Sequence, residues 1–358
     1  MKSHVRGYPI LFARIIYGAS WFFLSPYIPY LLSEFSAPKY FASLIPLSFF
    51  VTAAIMQIPA GLISTRLGMK NTYTLGLIIM GISDSLIGLS KSIEEVLFFY
   101  ALTGFGASFF FSSAGGTLAL INEGRTILVM GLYNSMFSVG GILGLNWGFV
   151  DSLVGFTYAS LFLGSLTVIA GVVNYVISYQ NVKPEFKVLK NRNVFLVALS
   201  TVGVWGSYYV VSEYFPTFSY YVLGKSSIVT GSLSSLLLLS SVIGGAFTFT
   251  FSFIKNDKLR VIISSILGVI PVIFLYNYFI IGLVIMGMFN EMAISIIYAF
   301  VVKEVRSENS SLALAEVNSI QIGLGMLELL LPYLSLEYLW YLVIIVSLLP
   351  LLILINVR

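Results

Sequence analysis

The chain has 358 residues, of which 58% are hydrophobic and only 9% charged. A soluble globular chain carries about 25% charged residues, so a water-soluble enzyme is all but excluded. With no Cys and a single His, His4 in the N-terminal tail, disulfides, thiolate nucleophiles and His- or Cys-ligated metal centres are excluded too. The net charge of +4 does not point to nucleic acid, because the charges sit in loops between apolar runs.

Those runs fall, in chain order, at about 8–32, 40–64, 71–90, 96–121, 127–150, 154–178, 194–216, 227–253, 260–275, 278–302, 311–334 and 338–357. A spanning helix needs ~20 largely apolar residues, so twelve spans use about two-thirds of the chain and leave no room for a folded extramembrane domain. The runs are continuous and not alternating, which rejects a transmembrane β-barrel. Helices are then the remaining way to satisfy backbone polar groups in lipid. The ninth run is short and ends at its only turn, Tyr276-Asn277. The first contains Arg14 and runs on past Gly18-Ala19-Ser20, unlike a signal peptide.

Of the 19 Lys and Arg residues, fifteen lie on the side of the N-terminus and three (Lys39, Lys91 and Lys225) on the other. The positive-inside rule then predicts a multi-pass cell-membrane protein with both termini cytoplasmic. The longest interruption, Tyr179 to Asn193, is basic and central. It divides the chain into an N-terminal six-helix bundle (1–178), a cytoplasmic linker (179–193) and a C-terminal six-helix bundle (194–358). The halves also echo each other. Tyr27-Ile28-Pro29 returns as Tyr214-Phe215-Pro216, Asn134-Ser135 as Asn318-Ser319, and Glu123-Gly124-Arg125 as Glu304-Val305-Arg306, at offsets of 187, 184 and 181 residues. The expectation is an all-α integral membrane protein of twelve transmembrane helices in two six-helix pseudo-repeats. That is a transporter architecture, with the substrate site between the repeats near the midplane.

The stretch from Pro59 to Lys70, between the second and third runs, resembles the loop signature of the major facilitator superfamily, G-x-L-a-D-R-x-G-R-K. Gly61, Arg66, Gly68 and Lys70 match, while Thr65 stands in place of the usual Asp and Met69 in place of a basic residue. In the fifth run Gly131, Gly140, Gly144 and Gly148 resemble the family's antiporter motif, with Leu145 for its Pro and Phe149 for its last Gly. Gly104 and Gly106 fit a third family motif, with Tyr100 in place of its Arg. The resemblance implies the family fold, cavity helices at spans 1, 4, 7 and 10, a cytoplasmic gate involving Arg66, and export by antiport.

Independently of any family, Gly140, Gly144 and Gly148 are four apart and predict a stripe on one helix face. Such stripes let another helix approach closely, either as static packing or as a sliding surface. Span 4 repeats the device with Gly104, Ser108, Ser112 and Gly116.

A charged side chain at the bilayer centre costs ~2.5–3.5 kcal/mol on the insertion scale, so it usually faces a cavity. The candidates are Arg14, Asp84, Glu213, Glu291, Glu316 and Glu328. Asp84 is expected in a structural hydrogen bond, Glu213 at the water, and Glu316 snorkelling, while Glu328 has no evident partner. Glu291 lies near the centre of span 10 beside Asn290, which makes it the candidate for proton coupling or cation recognition, or else a protonated packing group. Arg14, Tyr17, Trp21 and Ser25 share one face of span 1; Thr201, Trp205, Tyr208 and Ser212 share one face of span 7; Gly287, Glu291, Ser295 and Tyr298 share one face of span 10. Arg14, Tyr17, Trp21, Thr201, Trp205, Tyr208 and Asn290 are the candidate lining of the substrate cavity. Aromatic packing is the alternative for such stripes, and Ser25 and Ser212 are expected near water.

The function expected is secondary active transport of a small organic solute by alternating access, proton-coupled, with export or antiport favoured. A uniporter or facilitator and a transport-inactive receptor or scaffold are the alternatives. A channel would show a ring of like charges or a selectivity element. An enzyme would show a nucleophile–base pair or paired carboxylates. No cofactor or metal is expected. The expected partners are the solute, the bilayer and a proton gradient, and a monomer suffices.

Overall fold

Apolar runs that water cannot reach must satisfy their own backbone groups, and they do so as helices. The structure, a computed structural model, describes residues 7–38, 40–122, 125–177, 180–184, 191–225, 227–306, 309–335 and 337–357. In chain order the long helices are α1 (Tyr8–Glu34), α2 (Phe41–Leu67), α3 (Met69–Ile87), α4 (Ile93–Ile121), α5 (Thr126–Leu145), α6 (Phe156–Val176), α7 (Arg192–Tyr214), α8 (Ser227–Phe247), α9 (Asp257–Leu275), α10 (Phe279–Lys303), α11 (Ser310–Leu334) and α12 (Leu339–Asn356). Among the described residues, eleven helices are long and apolar enough to cross a membrane. The predicted third run, α3, is helical but falls outside that set: its 19 residues include Lys70, Asn71 and Asp84.

Helix ends follow the local sequence. Ser92 accepts a hydrogen bond from the Glu95 amide at 3.3 Å, and the Glu95 carboxylate accepts one from the Lys91 amide at 2.7 Å, capping α4 at its start. Asn191 and Asn256 cap α7 and α9 in the same way. α1 tightens to a 3₁₀ turn at Ser25–Tyr27, where Pro26 withholds its amide, and α7 widens to a π turn at Val210–Tyr214 just before Pro216.

Helix contacts fall within α1–α6 and within α7–α12, and some run between the two sets. α1 packs on α5 and α6, α2 on α4, and α3 on α4 and α6. In the second half α7 packs on α11 and α12, α8 on α10, and α9 on α10 and α12. Across the seam α2 and α4 meet α11, while α8 and α10 meet α5.

The glycine stripe of α5 is corrected in one respect. The helix ends at Leu145, and Gly148 opens a separate short helix, Gly148–Val154. Gly140 and Gly144 face α1: a side chain at Gly140 would collide with the Ile15 carbonyl, and one at Gly144 would lie 2.5 Å from the Ala19 carbonyl. Gly131 faces the other half, with its missing Cβ 2.6 Å from the Gly245 carbonyl of α8. At Gly148 the nearest atom is the Tyr27 hydroxyl at 3.4 Å, an ordinary contact. Overpacking a close contact costs ~1–3 kcal/mol. Gly144→Ala is therefore expected to lower the thermal unfolding midpoint of the purified protein, whereas Gly148→Ala leaves it unchanged; equal shifts for the two would refute the assignment of the contact face.

Candidate functional site

Five helices, α1, α4, α5, α7 and α10, bring the candidate groups to the seam. Arg14 on α1 is 1% exposed. Its guanidinium carbon lies 4.5 Å from the ring centre of Tyr17, 4.9 Å from Phe111, 4.3 Å from Tyr133 and 4.6 Å from Phe137. These faces hold a cation by their quadrupoles, yet Nε and Nη1 donate to nothing. From this box the aromatic contacts run across the seam. Trp21 lies 5.3 Å from Phe137 and 6.4 Å from Tyr209 of α7, and Trp205 lies 5.2 Å from Tyr209 and 5.5 Å from Tyr208. A second crossing joins Phe111 of α4 to Tyr298 of α10, 5.6 Å apart.

Glu291 stands on the α10 side. It is 2% exposed, and its Oε2 accepts one long hydrogen bond, 3.4 Å, from Ser138 of α5, while Oε1 accepts none. The ion pairs among the described residues are Arg260–Asp257 and Lys303–Asp257, so Arg14 and Glu291 share the centre without touching. The hydroxyls of Tyr17, Tyr208 and Tyr209 and the indole N–H groups of Trp21 and Trp205 are likewise buried without partners. Buried polar groups are ordinarily hydrogen-bonded. Unpaired polar groups on helices that meet at the seam are those a bound molecule's polar atoms could satisfy.

Not every candidate joins this cluster. Thr201 donates to the Val197 carbonyl at 2.7 Å and accepts from Gln321 of α11 at 2.7 Å. Asn290 donates to the Val204 carbonyl of α7 at 2.9 Å, and its backbone packs against Gly268 of α9. Thr201 is thus engaged within α7–α12, whereas Asn290, though its amide nitrogen is engaged there, keeps a buried Oδ1 without a partner. Phe111, Tyr133, Phe137 and Tyr209 lie off the stripes read from the sequence. The legible signal for Tyr133 and Phe137 is their spacing from Gly140 and Gly144, which puts Phe137 on the α5 face that meets α1.

The remaining buried carboxylates are placed as follows. Asp84 accepts from Thr103 at 2.9 Å. Glu328, without a partner in the sequence, accepts from Ser347 at 2.7 Å. Glu316 is 6% exposed with Oε2 unpartnered, so it does not snorkel. Glu213 does not reach water either. It is buried with Ser25 and Ser212, and Ser25 donates to it across the seam at 2.6 Å. The π turn moves Glu213 toward α1 at the point where Pro26 has already broken that helix.

Both ends of the seam are shut. At the Ser25 end Asn146 also bridges to Ser235 of α8 at 2.8 Å, and Gly231 admits the Leu145 carbonyl. At the other end Gly61 fits against Leu312 and Ala315 of α11, Gly116 against Ser311, and Ser319 donates to the Ala54 carbonyl at 2.8 Å. Of the loop candidates, Gly61 thus lies in the seam, whereas Arg66 is exposed and Lys70 sits 5.8 Å over the Tyr175 ring. Gly68 has φ +84°, a conformation glycine tolerates, and the side chain of Asn181 packs against it. Asn181 donates to the Leu67 carbonyl at 2.8 Å and accepts from the Lys70 amide at 3.0 Å, while the Met69 amide donates to the Val182 carbonyl at 2.9 Å. The linker is in this way stapled to the α2–α3 turn, a contact with no sequence signal.

The fold is thus a bundle whose helices are long and apolar enough to cross a membrane, with unpaired polar groups buried where they meet. The chain matches the Major Facilitator Superfamily over residues 10–327 and belongs to it. It is 27% identical over 131 residues to the multidrug efflux protein YfmO of Bacillus subtilis, covering 37% of this chain and 33% of that protein. It is also 25% identical over 202 residues to an uncharacterized MFS-type transporter of Methanocaldococcus jannaschii, covering 51% of this chain and 52% of the relative. The matches thus span about half or less of these relatives' lengths.

Removing the partner of a buried acceptor costs ~1–3 kcal/mol, so Ser25→Ala is expected to open its end of the seam. With a single cysteine introduced at buried Ser212 in this Cys-free chain, an impermeant thiol reagent applied from the Ser25 side should label about five- to a hundredfold faster in the Ser25→Ala background. An unchanged rate would show that the Ser25–Glu213 bond does not hold the end shut.

Proposed function

We propose that this chain is a proton-coupled secondary transporter that moves a small organic solute by alternating access. Twelve crossings in two six-helix units form it, with both termini in the cytoplasm. The reading is carried by the ring of unpartnered buried groups around Arg14, Trp21, Trp205, Tyr208 and Glu291. The matching helix pairs in the two halves support the duplicated unit. An intact seam at both ends then represents an occluded state, and rocking one half against the other opens either end in turn.

The solute's apolar or aromatic body would lie among the indole and phenol rings, and its polar atoms would satisfy the orphans. Arg66 is assigned to the cytoplasmic face beside the α2–α3 turn, with closure carried by Gly61 and Gly116 rather than by an Arg66 ion pair. Glu291 supplies the coupling. A cation that approaches Glu291 competes with a proton for its carboxylate. The sign of the coupling follows from the solute's charge. A solute that brings positive charge to Glu291 expels its proton, and the two exchange. One that brings an anion to Arg14 leaves Glu291 to keep its proton, and the two travel together. Exchange agrees with the antiporter-like glycines Gly131, Gly140 and Gly144 of α5 and with the efflux relative, and we adopt it.

In proteoliposomes, a panel of radiolabelled solutes identifies one that accumulates under a pH gradient. Glu291→Gln is then expected to abolish gradient-driven accumulation while leaving solute exchange partly intact; normal accumulation by that variant would overturn the coupling role. A cysteine at Asn181 should react only from the cytoplasmic side and one at Ser36 only from outside, and external labelling at Asn181 would overturn the orientation.

A further inference from the structure

Away from the central cluster, beside the Ser25 end of the seam, lies a half-open cavity of about 210 Å3. It is lined by Tyr27 and Tyr30 of α1 and by Asn146, Phe149 and Asp151 of the segment after α5. Asp151 makes no ion pair among the described residues. The Tyr27 side chain is 8% exposed, yet its buried hydroxyl makes no hydrogen bond. Tyr30 and Glu34 are four apart on α1, so a second carboxylate stands one helical turn from the cavity wall. Its chemistry is therefore one carboxylate, one unused phenol oxygen able to accept, and three aromatic rings.

We propose that this cavity is a second binding site, separate from the central one, that takes a small organic ammonium group. The carboxylate supplies the counter-charge, the rings attract the ammonium and its adjoining apolar carbons, and the Tyr27 oxygen accepts one of its N–H bonds. An anion is rejected by Asp151, and a neutral solute gains only the apolar contacts. The site sits on the closure itself. Its wall residue Asn146 bonds Ser235 of α8, and Pro26 packs against Gly231, so the cavity has this shape while that end of the seam is shut. Occupancy stabilises the shut form by the mass action of a ligand that favours one state. An ammonium can be carried by a soluble amine or by an ethanolamine headgroup, and the two are separable.

The test uses the full chain in phosphatidylglycerol nanodiscs, titrated calorimetrically with phenethylammonium and with its uncharged counterpart 2-phenylethanol. The amine is expected to bind about tenfold more tightly than the alcohol. Asp151→Asn, made in the Glu291→Gln background that removes the central carboxylate, should erase that preference, whereas Glu291→Gln alone should retain it. Equal binding of the two probes by the unaltered chain, or a preference that survives in the double variant, overturns the proposal. A preference lost in Glu291→Gln overturns it too, because it puts the amine in the central site. Tyr30 is half exposed and its replacement spares the fold, so Tyr30→Leu guards against misfolding of the first variant: it should weaken the amine several-fold and leave the alcohol unchanged, and an unaltered amine affinity counts against the site. Adding phosphatidylethanolamine to the discs assigns the carrier. A weaker apparent amine affinity means that the headgroup occupies the same site, and no change means that the site serves soluble amines.

Discussion

The arrangement depends on a buried positive charge without a counter-ion in contact. Moving a charge into a low-dielectric interior is costly unless it is paired or otherwise solvated. At Arg14 the solvation is supplied by the faces of Tyr17, Phe111, Tyr133 and Phe137, rings drawn from three helices. Ring faces stabilise a cation less than a carboxylate does, and they leave its N–H groups uncommitted. The centre is thereby held together firmly enough to pack and loosely enough to accept a further partner. Glu291, placed nearby and held by a single weak hydrogen bond, is uncommitted in the same way.

The seam is made by the opposite means, with small residues and backbone atoms. Gly131 meets Gly245, Gly116 meets Ser311, and Gly61 meets Leu312 and Ala315. In lipid there is no hydrophobic gain from burying one apolar helix against another, so close backbone approach and dispersion supply the attraction. Contacts of this kind part without leaving charges stranded. The exceptions are the Ser25–Glu213 bond and the longer Ser138–Glu291 bond, whose separation leaves a carboxyl group in need of a new partner.

Much of this was legible in the chain. Continuous apolar runs fixed the helices to within a few residues, because length and hydropathy are read one residue at a time. The stripes on spans 1 and 7 located Arg14, Trp21 and Trp205, since a helical face is a local property. What periodicity could not show were partners brought together by packing. Phe111 and Tyr133 reach Arg14 from other helices, and Asn290 and Thr201 turn to neighbours within their own half. The predicted continuation of the α5 stripe to Gly148 failed because the helix ends at Leu145, with no proline or charge to mark the stop. The π turn that holds Glu213 stands just before Pro216, a residue that marks a disturbed helix without giving its form.

The linker staple has a mechanical consequence. One side of the connection is fastened to the first half through Asn181 and Val182. The other is fastened to the second half, where Asn191 and Asn193 both bond Glu304. Between Val182 and Asn191 the chain can extend by at most ~3.3–3.6 Å per residue, a reach of about 30 Å. The connection therefore sets an upper limit. While both anchors hold, Val182 and Asn191 cannot part by more than that span, and a wider separation must first break the bonds of Asn181 or those to Glu304.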